Sequence, residues 1–280
     1  MAAREPPKHR DGAAQLRKPE ARKPPAAMTH TGGERSGETI FDAQALRMRS
    51  LTLATADIPA LQDPTVTQGG FKIRVAKLGG RRREAGKLVE RRYLGRGYTI
   101  PVGNSQSELT TFIAYDEGTL VGTVSVRLDS ANGLSADEHF HAEVEAMRGG
   151  GARLCEFTRL AVDRTVASKP VLAGLFHTAY LYASVLSHCT HAVIEVNPRH
   201  VTFYRRALGF DTVGEERVNR RVGAPAVLLG TPFSHIRDGI ARYAGKPSVV
   251  GASRSLFLYG FPPEEEPGVL ARLRSLVAAS

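Results

Sequence analysis

Two short segments of the 280-residue sequence gather polar side chains where a buried strand calls for apolar ones. The first is Leu154-Cys155-Glu156-Phe157-Thr158-Arg159-Leu160-Ala161-Val162-Asp163. Its flanks alternate as a strand does, yet the alternation slips between Thr158 and Leu160, as one extra residue in a β-bulge would cause. A carboxylate and a guanidinium three residues apart in such a strand are costly to bury unless each has a partner or a task. Two readings stay open: a structural Glu156–Arg159 ion pair, or a general base with a cation beside it. The second segment runs Glu195-Val196-Asn197-Pro198-Arg199-His200-Val201-Thr202-Phe203-Tyr204-Arg205-Arg206-Ala207-Leu208-Gly209-Phe210. It reads as a strand end, a breaker, one short helix and a Gly-Phe step into the next strand. Tyr204 on that helix reads as core packing, the usual fate of an aromatic at helical spacing.

The surrounding elements must hold these two segments together. Phe71, Ile73 and Val75 alternate with polar neighbours, which predicts a half-buried strand. A helix follows Gly79-Gly80 through Ala85, Leu88, Val89 and Tyr93 to Gly95. Strands over 109–115 and 120–128 are joined at Gly118, a residue suited to the positive φ of a tight hairpin. The pattern then predicts a helix over 136–147, the strand over 152–163, a largely apolar helix over 171–186, a strand over 191–196, the Tyr204 helix over 200–208, and strands over 210–213 and 226–229. The fold class is α/β (α+β): a mixed, largely antiparallel sheet flanked by helices, with the strands at 152–163 and 191–196 as parallel neighbours. Residues 1–39 are rich in Lys-Pro and Pro-Pro and read as a disordered basic tail. Residues 40–70 read as a linker and 71–230 as the domain. Residues 231–280 read as a helical extension, its helices at 234–243 and 268–277 added to the outside.

Charge and composition narrow the partners. The formal charge is +10, and residues 72–99 alone hold ten Lys/Arg against Glu84 and Glu90. That stretch is either a solvated helix face or a surface for an anionic partner: nucleic acid, an acidic carrier protein or an anionic membrane. No apolar run approaches the 18 to 20 residues of a membrane span, and the N-terminus lacks the apolar core of a secretory signal, so the expectation is a cytoplasmic protein. Cys155 and Cys189 are too few for a disulfide framework and lack the paired spacing of a zinc site.

The Asn197-Pro198 step, Phe203-Tyr204 and Leu208-Gly209-Phe210 resemble the last motif of GNAT acyltransferases, in which the tyrosine protonates a departing thiolate. Glu156-x-x-Arg159 with Ala161-Val162-Asp163 is similar to the acyl-homoserine-lactone synthases. Asp129-Ser-Ala-Asn-Gly133-Leu134-Ser135-Ala136-Asp137-Glu138, the Glu156 strand and Arg221-Val-Gly-Ala-Pro-Ala-Val-Leu-Leu229 together resemble the N-acyl amino acid synthases, over about residues 71–230. The resemblance implies Glu156 as general base, Arg159 as the residue that orients its carboxylate and donates toward the thioester oxygen, and Tyr204 as the acid at sulfur. It implies Phe157, Thr158, Leu160, Asn197 and Lys169 as substrate-binding residues, with no bound cofactor and no metal. The co-substrate is an acyl thioester, on the phosphopantetheine of an acyl carrier protein or on coenzyme A.

The loop from Arg164 to Gly174 departs from the GNAT pattern, with one late glycine and a proline where several glycines would let backbone N–H groups cradle a pyrophosphate. A donor lacking the nucleotide fits it better. The acidic carrier would then face residues 72–99, and Lys169 would meet its phosphate. The acceptor is an amino acid. Two alternatives remain: an acetyl-coenzyme A N-acetyltransferase on the same fold, and a basic, non-catalytic module binding nucleic acid or membrane. No stacking or recognition-helix signature supports specific nucleic-acid binding, whereas the segment 268–277 could make peripheral membrane contact.

Overall fold

The computed structural model describes residues 39–42, 70–76, 79–99, 108–163, 169–246 and 254–278. Eight strands form one sheet in the order β1-β2-β3-β4-β5-β6-β8-β7. They are β1 (Thr39–Asp42), β2 (Phe71–Val75), β3 (Leu109–Asp116), β4 (Thr119–Leu128), β5 (Leu154–Val162), β6 (His191–Val196), β7 (Asp211–Asn219) and β8 (Ala224–Pro232). Every neighbouring pair is antiparallel except β5–β6. At the β3–β4 hairpin both Glu117 (φ 46) and Gly118 (φ 79) are left-handed, the requirement of a turn whose twist matches its strands.

Helices cover both faces. On one face α1 (Gly79–Leu94) buries Ala85, Leu88 and Val89, and α2 (Asp137–Gly149) buries Phe140 and Val144 against Leu154, Val193 and Leu228. On the other, α3 (Lys169–Tyr180) is buried on all sides from Val171 onward and continues as a π-turn through Leu186. Gly174 lies inside that helix, where an added Cβ would sit 2.9 Å from Ile73 and 3.1 Å from Phe71. It serves close helix–sheet packing. The preceding loop, 164–168, lies outside the described residues.

Two expectations at the chain ends are corrected. Residues 39–42, read as tail and linker, form an edge strand on β2, because Ile40 is fully buried with Val269 and Leu273 and its carbonyl accepts from Arg272 Nε at 2.6 Å. The remainder of the tail (1–38) and of the linker (43–69) lies outside the described residues. The C-terminal helices α5 (Phe233–Tyr243) and α6 (Glu266–Ala278) are part of the core rather than additions to it. Phe233, Ile236, Ile240, Val269 and Leu273 all join the apolar cluster under α3. The side of α6 read as able to meet a membrane therefore packs inward.

Candidate active site

β5 and β6 pair for only three residues, ending at Glu156↔Val193. Both strands run on, β5 to Val162 beside β4 and β6 to Val196 beside β8. They part at Glu156, and among the described residues no ladder joins their facing edges beyond it. Backbone N–H and C=O groups along such edges are available to an extended chain lying between them.

The expected bulge lies on the β5 side of this gap. Thr123 pairs with Ala161 and Ser125 with Thr158, so β5 carries one extra residue, and Arg159 sits at φ +52. A non-glycine residue in that region costs roughly 1–2 kcal/mol. The bulge also changes which face the odd-numbered side chains meet: Phe157 packs under α3, whereas Ala161 packs against Leu88 and Val89 of α1.

Glu156 faces the α1–α2 side and is 2% exposed. Its Oε2 accepts the Ser135 N–H at 2.6 Å. Burial pushes the carboxyl above the usual range, against the pull of Arg221, the Ser135 hydrogen bonds and Arg127. The loop that delivers Ser135 is held by Arg148, which donates to both Asp129 oxygens (2.7 and 2.8 Å) and both Asp137 oxygens (2.7 Å each), while Asp137 Oδ2 accepts from Leu134 N–H. Asp137, His141 and Glu145 bring ligand atoms within 4.8 Å of one another, but Arg148 also donates to Glu145. A guanidinium in that position opposes a metal cation.

Across the gap Glu195 shares this face. Its carboxylate accepts from Asn219 Nδ2 and from the Arg221 guanidinium. Burial raises it to about 7, with Arg221 opposing and Glu156 adding to the rise. His139 Nδ1 lies 3.7 Å from Glu195, and its Nε2 accepts the Arg220 N–H. Burial holds this imidazole below its ordinary value.

Tyr204 comes from the other face, on α4 (Val201–Leu208), 6% exposed and edge-on to Phe176, Phe203 and Phe210. The helix stops at Gly209 (φ 68), where the Phe210 N–H bonds the Tyr204 carbonyl. Burial raises the Tyr204 phenol above its ordinary value; Tyr93 adds to this and Arg96 opposes it. Tyr93, at the end of α1, is in turn subject to the charges of Arg159, Arg221 and Arg96. Glu156 and Tyr204 thus belong to opposite faces of the sheet; the charge of Arg221 acts on both Glu156 and Tyr93, and Tyr93 in turn acts on Tyr204.

Of the other residues singled out from sequence, Arg159 makes neither an ion pair nor a hydrogen bond with Glu156 among the described residues. The extra residue in β5 instead sets its charge against Tyr93 and Arg127, so the structural ion pair and the orienting role are both corrected. Phe157 is 1% exposed beside Phe176 and Phe233; Thr158 and Leu160 are half-buried on the diverging part of β5. Asn197 is already engaged: its Oδ1 accepts from the backbone N–H and the side-chain Nε of Arg199, and its Nδ2 donates to the Pro225 carbonyl. Lys169 begins α3 with its Nζ 5.9 Å from the Tyr259 ring centroid.

Sequence reasoning passed over Tyr93, Arg96, Ser135, Glu195 and Arg221 as site residues. An acidic residue amid Val193, Ile194 and Val196 was a readable signal for Glu195; the others are brought in by turns far away in sequence. The turn after α1 reaches the β7–β8 connection through Thr99, whose N–H bonds the Val222 carbonyl and whose hydroxyl bonds the Arg221 carbonyl.

Residues 84–232 match the family described as N-acyl amino acid synthase FeeM. Among solved structures, the chain is similar to FeeM, an N-acyl amino acid synthase from uncultured soil microbes, at 30% identity over 61% of this chain and 94% of that one, with a TM-score of 0.55. It also matches an N-acetyltransferase from Staphylococcus aureus Mu50 (13% identity, 59% and 98% covered, TM-score 0.42) and the AHL synthase LasI (11%, 65% and 94%, TM-score 0.42). No curated protein matches.

Proposed function

Because the chain belongs to the N-acyl amino acid synthase FeeM family and is an acyltransferase, we propose that it moves a long-chain acyl group from the phosphopantetheine thioester of an acyl carrier protein to the α-amine of an amino acid. The observation that carries this reading is the parting of β5 and β6 at the buried carboxylate of Glu156, with Tyr204 buried on the opposite face of the sheet.

An extended, amide-bearing arm suits the open strand edges. The acyl chain is assigned to the apolar layer beside Tyr204, where Phe157, Phe176, Leu208, Ile236 and Phe257 line a cavity of about 20 Å³ that must open to admit it. The acceptor approaches on the α1–α2 face. At neutral pH its amine is protonated, and Glu156 takes a proton from it, directly or through one water. The nitrogen attacks the thioester carbon and the carbonyl oxygen gains charge, toward which Arg159 donates. The C–S bond then breaks and Tyr204 gives its proton to sulfur. Holding both reactants in line supplies much of the remaining acceleration. Exposed Arg82, Arg83, Lys87 and Arg91 on α1 provide a surface for an acidic carrier, and Lys169 a cation for its phosphate. A carrier-protein donor also fits a cytoplasmic location.

The test is an amino acid mixture incubated with purified protein and either a fatty acyl-carrier thioester or an acyl-coenzyme A, with products read by mass spectrometry. N-acyl amino acids formed preferentially from the carrier support the proposal. Consumption of acetyl-coenzyme A alone, with no fatty amide, overturns it.

A further inference from the structure

Arg96 lies in the turn that ends α1, its N–H bonded to the Tyr93 carbonyl at 2.9 Å. Its guanidinium NH1 is 3.2 Å from His200 Nε2. His200 caps α4, and Tyr204 stands four residues on, so the two side chains rise from one side of that helix about a turn apart. Burial, then Arg96 and Arg199, push His200 down to about 4. It is a neutral imidazole at pH 7 and accepts the Arg96 hydrogen bond without cancelling its charge. Among the described residues no carboxylate pairs with Arg96, in contrast to Arg127, Arg148, Arg217 and Arg221, each of which holds at least one.

We propose that Arg96 is a further catalytic residue, the counter-cation of the leaving group; this rests on the acyl-transfer reading above. When the C–S bond breaks, sulfur keeps the electron pair. If Tyr204 then gives its proton to sulfur, the thiol is free but a buried phenolate remains until the second proton of the attacking amine restores it. An ordinary thiol has a pKa about 8.5 and a phenol about 10, so this transfer runs uphill without help, and burial of Tyr204 steepens it. One negative charge is present throughout, on sulfur or on the phenol oxygen, and Arg96 stabilises it in both places. His200 is the positioning residue that aims the guanidinium.

The experiment compares two donors with one amino acid acceptor: an alkyl thioester and an aryl thioester, whose thiolate needs far less stabilisation. Arg96→Gln, which still donates to His200, is expected to lower kcat by roughly 10²–10³ on the alkyl thioester and by less than about 10-fold on the aryl one. Arg96→Lys, which keeps the charge, is expected to retain most alkyl-thioester turnover. Melting curves establish that each variant is folded. Equal losses on both donors, or a fall confined to the acceptor KM, overturn the assignment of Arg96 alone. A wild-type protein that acylates no amine from either donor overturns this assignment together with the reading it rests on.

Discussion

Replacing Glu156 by Gln exchanges one carboxylate oxygen for an amide NH2 and keeps an oxygen able to accept the Ser135 N–H, now 2.6 Å from Oε2. The volume barely changes in a site only 2% exposed, so neither cavity nor clash arises. What disappears is the proton acceptor. Loss of a general base is worth roughly 10²–10⁴ in rate, or about 2.7–5.5 kcal/mol at the transition state. Stability gives an independent reading with the opposite sign. Burial raises the folded pKa of Glu156, so the folded state holds its proton more tightly than the unfolded chain does. The stability this provides is complete below the unfolded value and is lost as pH rises through the folded one. A neutral Gln has nothing to lose, so the Gln variant should melt at least as high as wild type at pH 8, and its advantage should grow with pH. Turnover is followed by thiol release with the amide product measured by mass, and melting is followed from pH 5 to 9. Near-normal turnover in the folded variant refutes the base assignment; lost turnover with a lower melting temperature at pH 8 refutes the claim that the loss is chemical.

Arg159→Gly removes a side chain from a left-handed position (φ +52) and relieves about 1 kcal/mol of strain, partly offset by the entropy of glycine in the unfolded chain. Its melting temperature should match or exceed that of wild type while turnover falls by about 10² or more, and retained turnover would rule out a role for the guanidinium. Glu195 is raised from 4.5 to about 7, so its contribution of about 3 kcal/mol is full below pH 4.5 and disappears as pH rises through 7. Glu195→Gln keeps an acceptor for Arg221 and should flatten that part of the slope in urea midpoints taken at pH 5 and pH 9; an unchanged slope contradicts the assignment. The proposed reading brings donor and acceptor to the gap from opposite faces and lets both bind together, so initial rates should give intersecting double-reciprocal lines. Parallel lines refute direct attack.

Much of the scaffold was legible because its signals are local. The alternation of Phe71, Ile73 and Val75, the Gly118 turn and the Gly209 stop each follow from residues within a few positions of one another, and the structure places β2, the β3–β4 hairpin and the end of α4 there. The slip between Thr158 and Leu160 was equally local, and it became the bulge at Arg159. The edge strand at residues 39–42 was not legible, since four residues carry too little pattern and Ile40 is buried by α6, over 220 positions away. The same holds for α5 and α6. Their apolar spacing could be read, but whether it meets solvent or core depends on where the chain returns.

The candidate site divides in the same way, for a physical reason. Glu156 announces itself because it breaks the apolar pattern of its strand, whereas Tyr204 fits ordinary helical packing and stands out only through the resemblance of the segment from Asn197 to Phe210 to the GNAT motif. The groups that tune them come from turns whose position depends on the assembled sheet: Ser135 from a loop locked by Arg148, Arg221 from the β7–β8 connection, Arg96 from the end of α1. None of these breaks its own local pattern, and each is exposed to solvent until the fold is complete. Charge is worth little to a site while it is solvated and much more once water is excluded. The residues that set the electrostatics of this gap are therefore the ones least visible before folding, and the parting of β5 from β6 is the feature that gives them a common point of action.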